Sequence, residues 1–329
     1  MKTKNTATFI SLGAVLIALC LLSIRLGSVF LDTRSFIAAL LRRDGYSAQS
    51  TIIYTLRMPR ILSGILAGAG LGLSGVLLQG VTDNKMASPG LIGVNSGAGF
   101  AVILALSMPF FPIKLIPLAA FLGAFLATRA IIAIAGRMGM TKNTVILSGI
   151  AFSAILSAGI SLLSLLDADV LVNYNAFSVG SLAGSEAGEL ILPAILITIA
   201  LAASIFAARR INLLSLGAPI ATSLGVNVKI LRIFCMLIAS AAAGAAVSAV
   251  GLLGFVGLMS PHIARTLVGA DARKLIPAAV LVGADLVLAA DLCGRVIFAP
   301  GEMPVGVLMA LLGAPFFLAI LLRGGHRDA

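Results

Sequence analysis

Arg57 and Arg60 stand three residues apart around Pro59, and Asp291 stands four residues before Arg295. A guanidinium is a planar fork of donors that grips a carboxylate through parallel hydrogen bonds, so these residues suit recognition of acidic groups rather than bond breaking. The alternative for an arginine at the end of an apolar run is to snorkel, laying its stem along the helix and its head among lipid phosphates. Residues four apart share a helix face, so Asp291 and Arg295 are expected to neutralise each other. Asp285 has no such sequence-local partner. Acids inside apolar segments pair, line water or relay protons, and Asp285 and Asp291 keep an ion-coupled transport chemistry open as the rival reading. Gly93, Val94, Asn95, Ser96 and Gly97 superficially echo an intramembrane serine protease. Such a serine needs a positioned base, and neither His262 nor the tail residue His326 is placed by spacing to serve it. Cys20, Cys235 and Cys293 fall singly within apolar runs, which suits packing and not a metal or disulfide framework. No catalytic residue, metal site or cofactor is expected.

The elements that must position these residues are membrane helices. Of 329 residues, 60% are hydrophobic and 11% charged, with a mean hydropathy of +1.13. Soluble domains hold about 45–50% apolar and about 25% charged residues. Apolar runs fall at about 9–26, 61–81, 91–108, 115–135, 145–166, 190–208, 230–250, 252–267, 275–293 and 305–322. At about 20 residues per span this predicts an all-α polytopic membrane protein of about ten transmembrane helices, with 1–329 as one domain and no room for a soluble catalytic one. The run at 252–267 is short and carries Pro261 and His262, which predicts a broken or tilted helix.

The net charge of +11 raises the question of nucleic acid. The basic residues, however, flank apolar runs singly or in pairs, and Trp is absent, so the charge reads as membrane topology and no nucleic-acid partner is expected. With the N-terminus inside, fifteen of the 23 lysines and arginines face the cytoplasm. The outer eight are Arg25, Arg34, Arg42, Arg43, Arg57, Arg60, Lys114 and Arg295. This predicts a multi-pass protein of the cytoplasmic membrane with both termini cytoplasmic. Six of the outer eight crowd the first outer loop or its ends, more than topology alone requires.

Two stripes recur every four residues and so share one helix face each: Gly64, Gly68 and Gly72, and Gly149, Ser153, Ser157 and Ser161. Close helix packing explains the glycines. The serines either pack or wet a pathway. Residues 213–228, LLSLGAPIATSLGVNV, interrupt the apolar pattern between Arg209, Arg210 and Lys229. They read either as a solvated linker or as short surface helices offering Leu214, Leu216, Ile220 and Leu224 to a partner's groove.

Four segments then carry a family resemblance: RMPR at 57–60, LQGVTDNKMASPGLIGVNSGA at 78–98, GFVGLMSPHIARTLVGADARKLIPAA at 254–279, and ADLCGRVIFAPGEMPVGVLMALLGAPFFL at 290–318. In this order and spacing the chain resembles, over nearly its whole length, the FecCD-type permease subunits of ABC importers for iron-siderophore, haem and cobalamin complexes. The outer loop at 167–189 fits more loosely, with Phe177 where the family commonly shows an aromatic before Gly-Ser-Leu and without its frequent tryptophan.

The resemblance implies a permease that pairs with a second copy or a paralogue, binds cytoplasmic ATP-binding subunits and an extracytoplasmic substrate-binding protein, and carries an iron chelate inward. It maps docking of the binding protein onto Arg57, Arg60 and Arg295. It maps coupling to the ATPase onto 213–228, at Leu214, Leu216, Gly217, Ile220, Leu224 and Gly225. Ser153, Ser157 and Ser161 would then border the pathway. No G-x-x-x-x-G-K-[ST] phosphate loop occurs in the chain, so ATP hydrolysis is expected in the partner subunits.

Overall fold

An apolar run in a bilayer has no water to satisfy its backbone, so it closes its hydrogen bonds internally as a helix. The computed structural model describes residues 2–27, 32, 37–38, 41 and 47–324, and every apolar run in it is helical over most of its length. The helices are α1 (Lys2–Arg25), α2 (Met58–Thr82), α3 (Val94–Leu106), α4 (Ile116–Arg137), α5 (Lys142–Leu166), α6 (Ala168–Val179), α7 (Ile191–Leu214), α8 (Ala218–Ser223), α9 (Val228–Val250), α10 (Val256–Val268), α11 (Ala272–Ile297) and α12 (Val305–Gly324). A short helix, Ser47–Thr51, and a π-helical turn, Ile52–Arg57, run without a break into α2, so Pro59 sits just past the widened turn within one continuous helical stretch. Arg34, Arg42, Arg43, His326 and Arg327 lie outside the described residues.

Ten helices match the ten apolar runs, but they are unequal. Among the described residues, seven are long and apolar enough to cross a membrane: α1, α2, α4, α5, α7, α9 and α11. The 13-residue α3 and α10 reach only about 20 Å at 1.5 Å per residue, against a hydrocarbon core of about 30 Å. Extended or tightly turned backbone fills the remainder. Before α3 runs the tight turn Pro89–Ile92, whose Ile92 carbonyl accepts from Thr128 Oγ1 at 3.0 Å. Before α10 lies the non-helical stretch 251–254. Leu252 donates to the Phe177 carbonyl at 3.2 Å, Ser181 to Val250 at 2.9 Å, and Gly306 to Gly180 at 3.1 Å. The connection after α6 thus serves as hydrogen-bond partner for the break. Gly180 has φ +70°, and a Cβ there would run into the Leu252 carbonyl, so only glycine fits.

The core lies where α2 meets α9 and α11. Side chains at Gly68 and Gly72 would collide with the backbone of Gly283 and Ala279 on α11, and one at Gly75 with Gly257 on α10. On α9 the run Ala242, Ala243, Gly244, Ala245, Ala246 is fully buried. Without a hydrophobic drive between helices in lipid, such small residues hold them by close van der Waals contact. The glycine stripe expected to pack therefore does so. The outer helices carry exposed leucines and isoleucines, such as Ile10, Leu126 and Ile155, as a lipid-facing surface requires.

Candidate functional site

The two ends of the bundle differ in chemistry. α2 and α11 run antiparallel, so the start of α2 meets the end of α11. Here Arg57, Arg60 and Arg295 come together with Asp291 and with Glu302 from the α11–α12 connection. Arg60 donates from Nε and Nη2 to Asp291 Oδ1 at 3.0 and 2.8 Å, and from Nη1 to Glu302 Oε2 at 2.6 Å. Arg295 Nε lies 2.9 Å from Asp291 Oδ2, the contact expected of residues four apart. Arg295 Nη1 also reaches the carbonyls of Ser23 and Leu26 at 3.3 and 3.2 Å, and Arg57 Nη1 those of Ile24 and Arg25 at 2.5 and 2.9 Å. The exposed carbonyls that end α1, which lack intrahelical donors, are thereby satisfied by two cations, the sign that suits a helix C-terminus.

This cluster is more enclosed than its sequence context suggests. Arg57, Asp291 and Arg295 are only 6, 2 and 3% exposed. All three arginines nevertheless line one cleft of about 210 Å³, together with Gly27, Leu56, Ser185 and Glu302. Three guanidinium groups face two carboxylates there, so the cleft keeps an excess positive charge. Arg295 Nη2 has no hydrogen-bond partner among the described residues. The link from Arg60 to both acids joins residues more than 230 positions apart, and no local pattern could reveal it.

At the opposite end, the polar interruption forms a single six-residue helix, α8, between Gly217 (φ +105°) and Gly225 (φ +82°). Leu216, Ile220 and Leu224 recur every four residues and are 57, 50 and 56% exposed. Leu214 does not join them: it is buried in the core at the last turn of α7, because its side chain points back onto the bundle. A latch braces the segment. Asn212 donates to Asp271 Oδ1 at 2.7 Å and accepts from the Ala272 amide at 2.8 Å, while the Asp271 carboxylate caps α11 by accepting from the Arg273 amide at 3.1 Å. The Asn212 hydrogen bond, with the Arg273 amide and nearby Arg273 and Lys274, holds the Asp271 carboxyl below the usual carboxylate range. Arg232, on the second turn of α9, donates to the carbonyls of Val81 at 3.2 Å and Met140 at 2.8 Å, pinning the ends of α2 and α4 together.

The serine stripe divides. Ser153 Oγ accepts from Ser96 Oγ at 3.0 Å and so packs α5 on α3, whereas Ser157 and Ser161 are exposed. Ser96 is therefore committed to a packing contact, and His262 meets Phe316 edge-on with ring centroids 5.8 Å apart. Neither residue is paired with the other. Asp285 is buried on α11, and among the described residues neither carboxylate oxygen finds a donor.

Sequence and structure comparisons agree with this architecture. The model of the FecCD transport family matches residues 15–323. An iron(III)-citrate import permease of Bacillus subtilis is 37% identical, the match spanning 94% of this chain and 93% of that one. A hemin transport permease of Yersinia pestis is 37% identical over 95% of each chain. The ferric enterobactin permease of Escherichia coli is 40% identical over 84% of each. A solved transporter assigned to the metal-chelate ABC type, in an inward-facing conformation, superposes with a TM-score of 0.84 at 30% identity, covering 97% of this chain and 99% of that one. The match over almost the full length, the all-helical bundle and the shared chain anatomy identify this multi-pass membrane protein as a transport permease that belongs to the FecCD transport family.

Proposed function

We propose that this chain is the membrane-spanning subunit of an importer that moves an iron chelate into the cytoplasm, driven by ATP hydrolysis in separate subunits. The observation that carries the reading is the division between the two ends: a positively charged cleft at one and an exposed apolar stripe beside two positive-φ glycines at the other. The excess of lysine and arginine at the α8 end supports a cytoplasmic place for that end and for both termini.

On this reading an extracytoplasmic binding protein docks at the cleft of Arg57, Arg60 and Arg295, whose excess positive charge attracts its acidic side chains. Cytoplasmic ATP-binding subunits receive Leu216, Ile220 and Leu224 in an apolar groove, with Gly217 and Gly225 as the pivots and Leu214 as the anchor in the bundle. Motion of α8 passes to α7 directly and to α11 through the Asn212–Asp271 latch. α11 in turn carries Asp291 and Arg295, so both ends are joined by one rigid element. A second permease copy, or a paralogue, pairs along the exposed face of α5, placing Ser157 and Ser161 at the pathway, where weak hydrogen bonds pass a bulky chelate without trapping it. The chelate class follows the relatives, which carry iron(III)-citrate, hemin and ferric enterobactin; an iron-siderophore is the cargo proposed.

The test is uptake of radiolabelled iron-siderophore into proteoliposomes holding this chain, its ATP-binding subunits and its binding protein. Uptake that requires internal ATP and both partners is expected. Uptake driven by an ion gradient without ATP would overturn the reading and direct attention to Asp285.

A further inference from the structure

A groove of about 660 Å³ opens between the last turns of α7 and the first turns of α9. Its walls are two facing stripes, Ala203, Phe206 and Arg210 on α7 against Asn227, Ile230 and Phe234 on α9, with Arg209 at the rim. The helices run in opposite directions here, so depth can be read from the numbering: falling numbers on α7 and rising numbers on α9 both lead toward the middle of the membrane. The deep part is thus Ala203, Phe206, Ile230 and Phe234, and the shallow end is Arg209 and Arg210. Phe206 is 87% exposed, an aromatic ring standing free on the membrane face. Among the described residues neither Arg209 nor Arg210 makes a side-chain hydrogen bond or an ion pair, whereas Arg57, Arg60, Arg232, Arg265 and Arg295 all do.

An apolar trough capped by two unpaired guanidinium groups at the membrane–water boundary has the polarity profile of one phospholipid: acyl chain deep, phosphate at the surface. We propose that this groove is a binding site for an anionic phospholipid, the acyl chain lying against Phe206, Ile230 and Phe234 and the headgroup phosphates held by Arg209 and Arg210. Guanidinium forks match phosphate oxygens in pairs, and basic pockets between helices at the cytoplasmic surface select anionic headgroups. A zwitterionic lipid would satisfy the trough but leave no net charge for the arginines. The site borders Gly225, the pivot that follows α8, so occupancy would stiffen the link between α8 and α9. The site rests on the proposed orientation, with the α8 end cytoplasmic, and its test on the proposed ATP-binding partners; the groove and its two arginines do not depend on transport.

The permease purified with its ATP-binding subunits, incubated with phosphatidylglycerol or phosphatidylcholine and examined by native mass spectrometry, tests this. Each arginine near the surface favours anionic lipid by about five-fold, so the intact protein should prefer phosphatidylglycerol by roughly 25-fold, and Arg209→Gln with Arg210→Gln should reduce the preference to near parity. An unchanged preference in that variant overturns the proposal. So does a preference seen with the permease alone and abolished by the ATP-binding subunits, which would make the groove their seat. The unaltered complex supplies a check independent of folding: phosphatidylglycerol with a photoreactive acyl chain should label peptides spanning 203–210 and 227–234. Labelling confined to other helices refutes the site.

Discussion

Asp291→Asn isolates the charge of one buried carboxylate while keeping its shape. In the structure Asp291 accepts hydrogen bonds of 2.8 to 3.2 Å from Arg60 and forms an ion pair with Arg295 at 2.9 Å, and it is almost wholly buried. Removing one partner of a buried pair costs about 3–5 kcal/mol, because the remaining charge is stranded away from water. Two features place the effect at the low end. Arg60 keeps Glu302 at 2.6 Å, and Arg295 keeps the carbonyls of Ser23 and Leu26. We therefore expect a loss of about 3 kcal/mol, or roughly a hundred-fold in the folded-to-unfolded ratio. Titration of the detergent-solubilised protein with SDS, followed by loss of helical signal, measures it. Adding Arg295→Met to Asp291→Asn removes the stranded cation, so the double variant should recover more than 1 kcal/mol over the sum of the single losses. A single-variant loss within about 0.5 kcal/mol of zero, the level of an ordinary surface change, would show that the cluster is not the linchpin of α1, α2 and α11 argued above.

Gly68→Leu drives a side chain into the Gly283 backbone, so it should cost at least the 1–3 kcal/mol of typical overpacking and cut the monodisperse fraction recovered from membranes; Gly136→Leu, with open space around the site, should not. Replacing Leu216, Ile220 and Leu224 together with Ser should abolish co-purification of the ATP-binding subunits while leaving the midpoint of SDS unfolding unchanged, since none of the three is in the core. Asn212→Leu removes the main cause of the depressed Asp271 pKa. A depressed carboxylate stabilises the fold in full above the ordinary carboxylate range and loses that contribution as pH falls through its folded pKa. The variant should therefore be less stable at neutral pH by about 1 kcal/mol, discounted for solvent screening, and its stability should fall less between pH 6 and about pH 3 than that of the unaltered protein.

Much of this was legible in the chain because bilayer physics leaves few choices. Each apolar run became a helix, the glycines at 64, 68 and 72 packed as spacing indicated, and Asp291 met Arg295 across one turn. What stayed hidden was long-range or conditional. Arg60 finds Asp291 and Glu302 only because α2 and α11 are antiparallel neighbours, a fact of tertiary arrangement. The enclosure of Arg57 depends on where α1 ends. α6 falls in a segment rich in polar residues, whose start is marked only by the Asp167 cap accepting from the Asp169 amide at 2.8 Å. Leu214 and Leu216 are two residues apart and alike in chemistry, yet a helix end separates them into core and surface.

The brevity of α3 and α10 bears on how the protein is made. A segment leaves the insertion machinery for lipid when its own hydrophobicity covers the membrane, and α10 has thirteen residues that include Pro261, His262 and Arg265. Alone it would expose the non-helical stretch before it to hydrocarbon, where unpaired amides are untenable. Its partners there, the Phe177 carbonyl and the Gly180 loop, are synthesised some seventy residues earlier, whereas α11 and α12 come after. α10 is therefore expected to be fully sheltered only once the following helix arrives, and the two to settle together. The order of synthesis becomes part of the fold: a chain truncated between Val268 and Ile297 would keep the hydrogen-bond partners of the break and the α2 contact but lack the α11 face that completes the seat of α10.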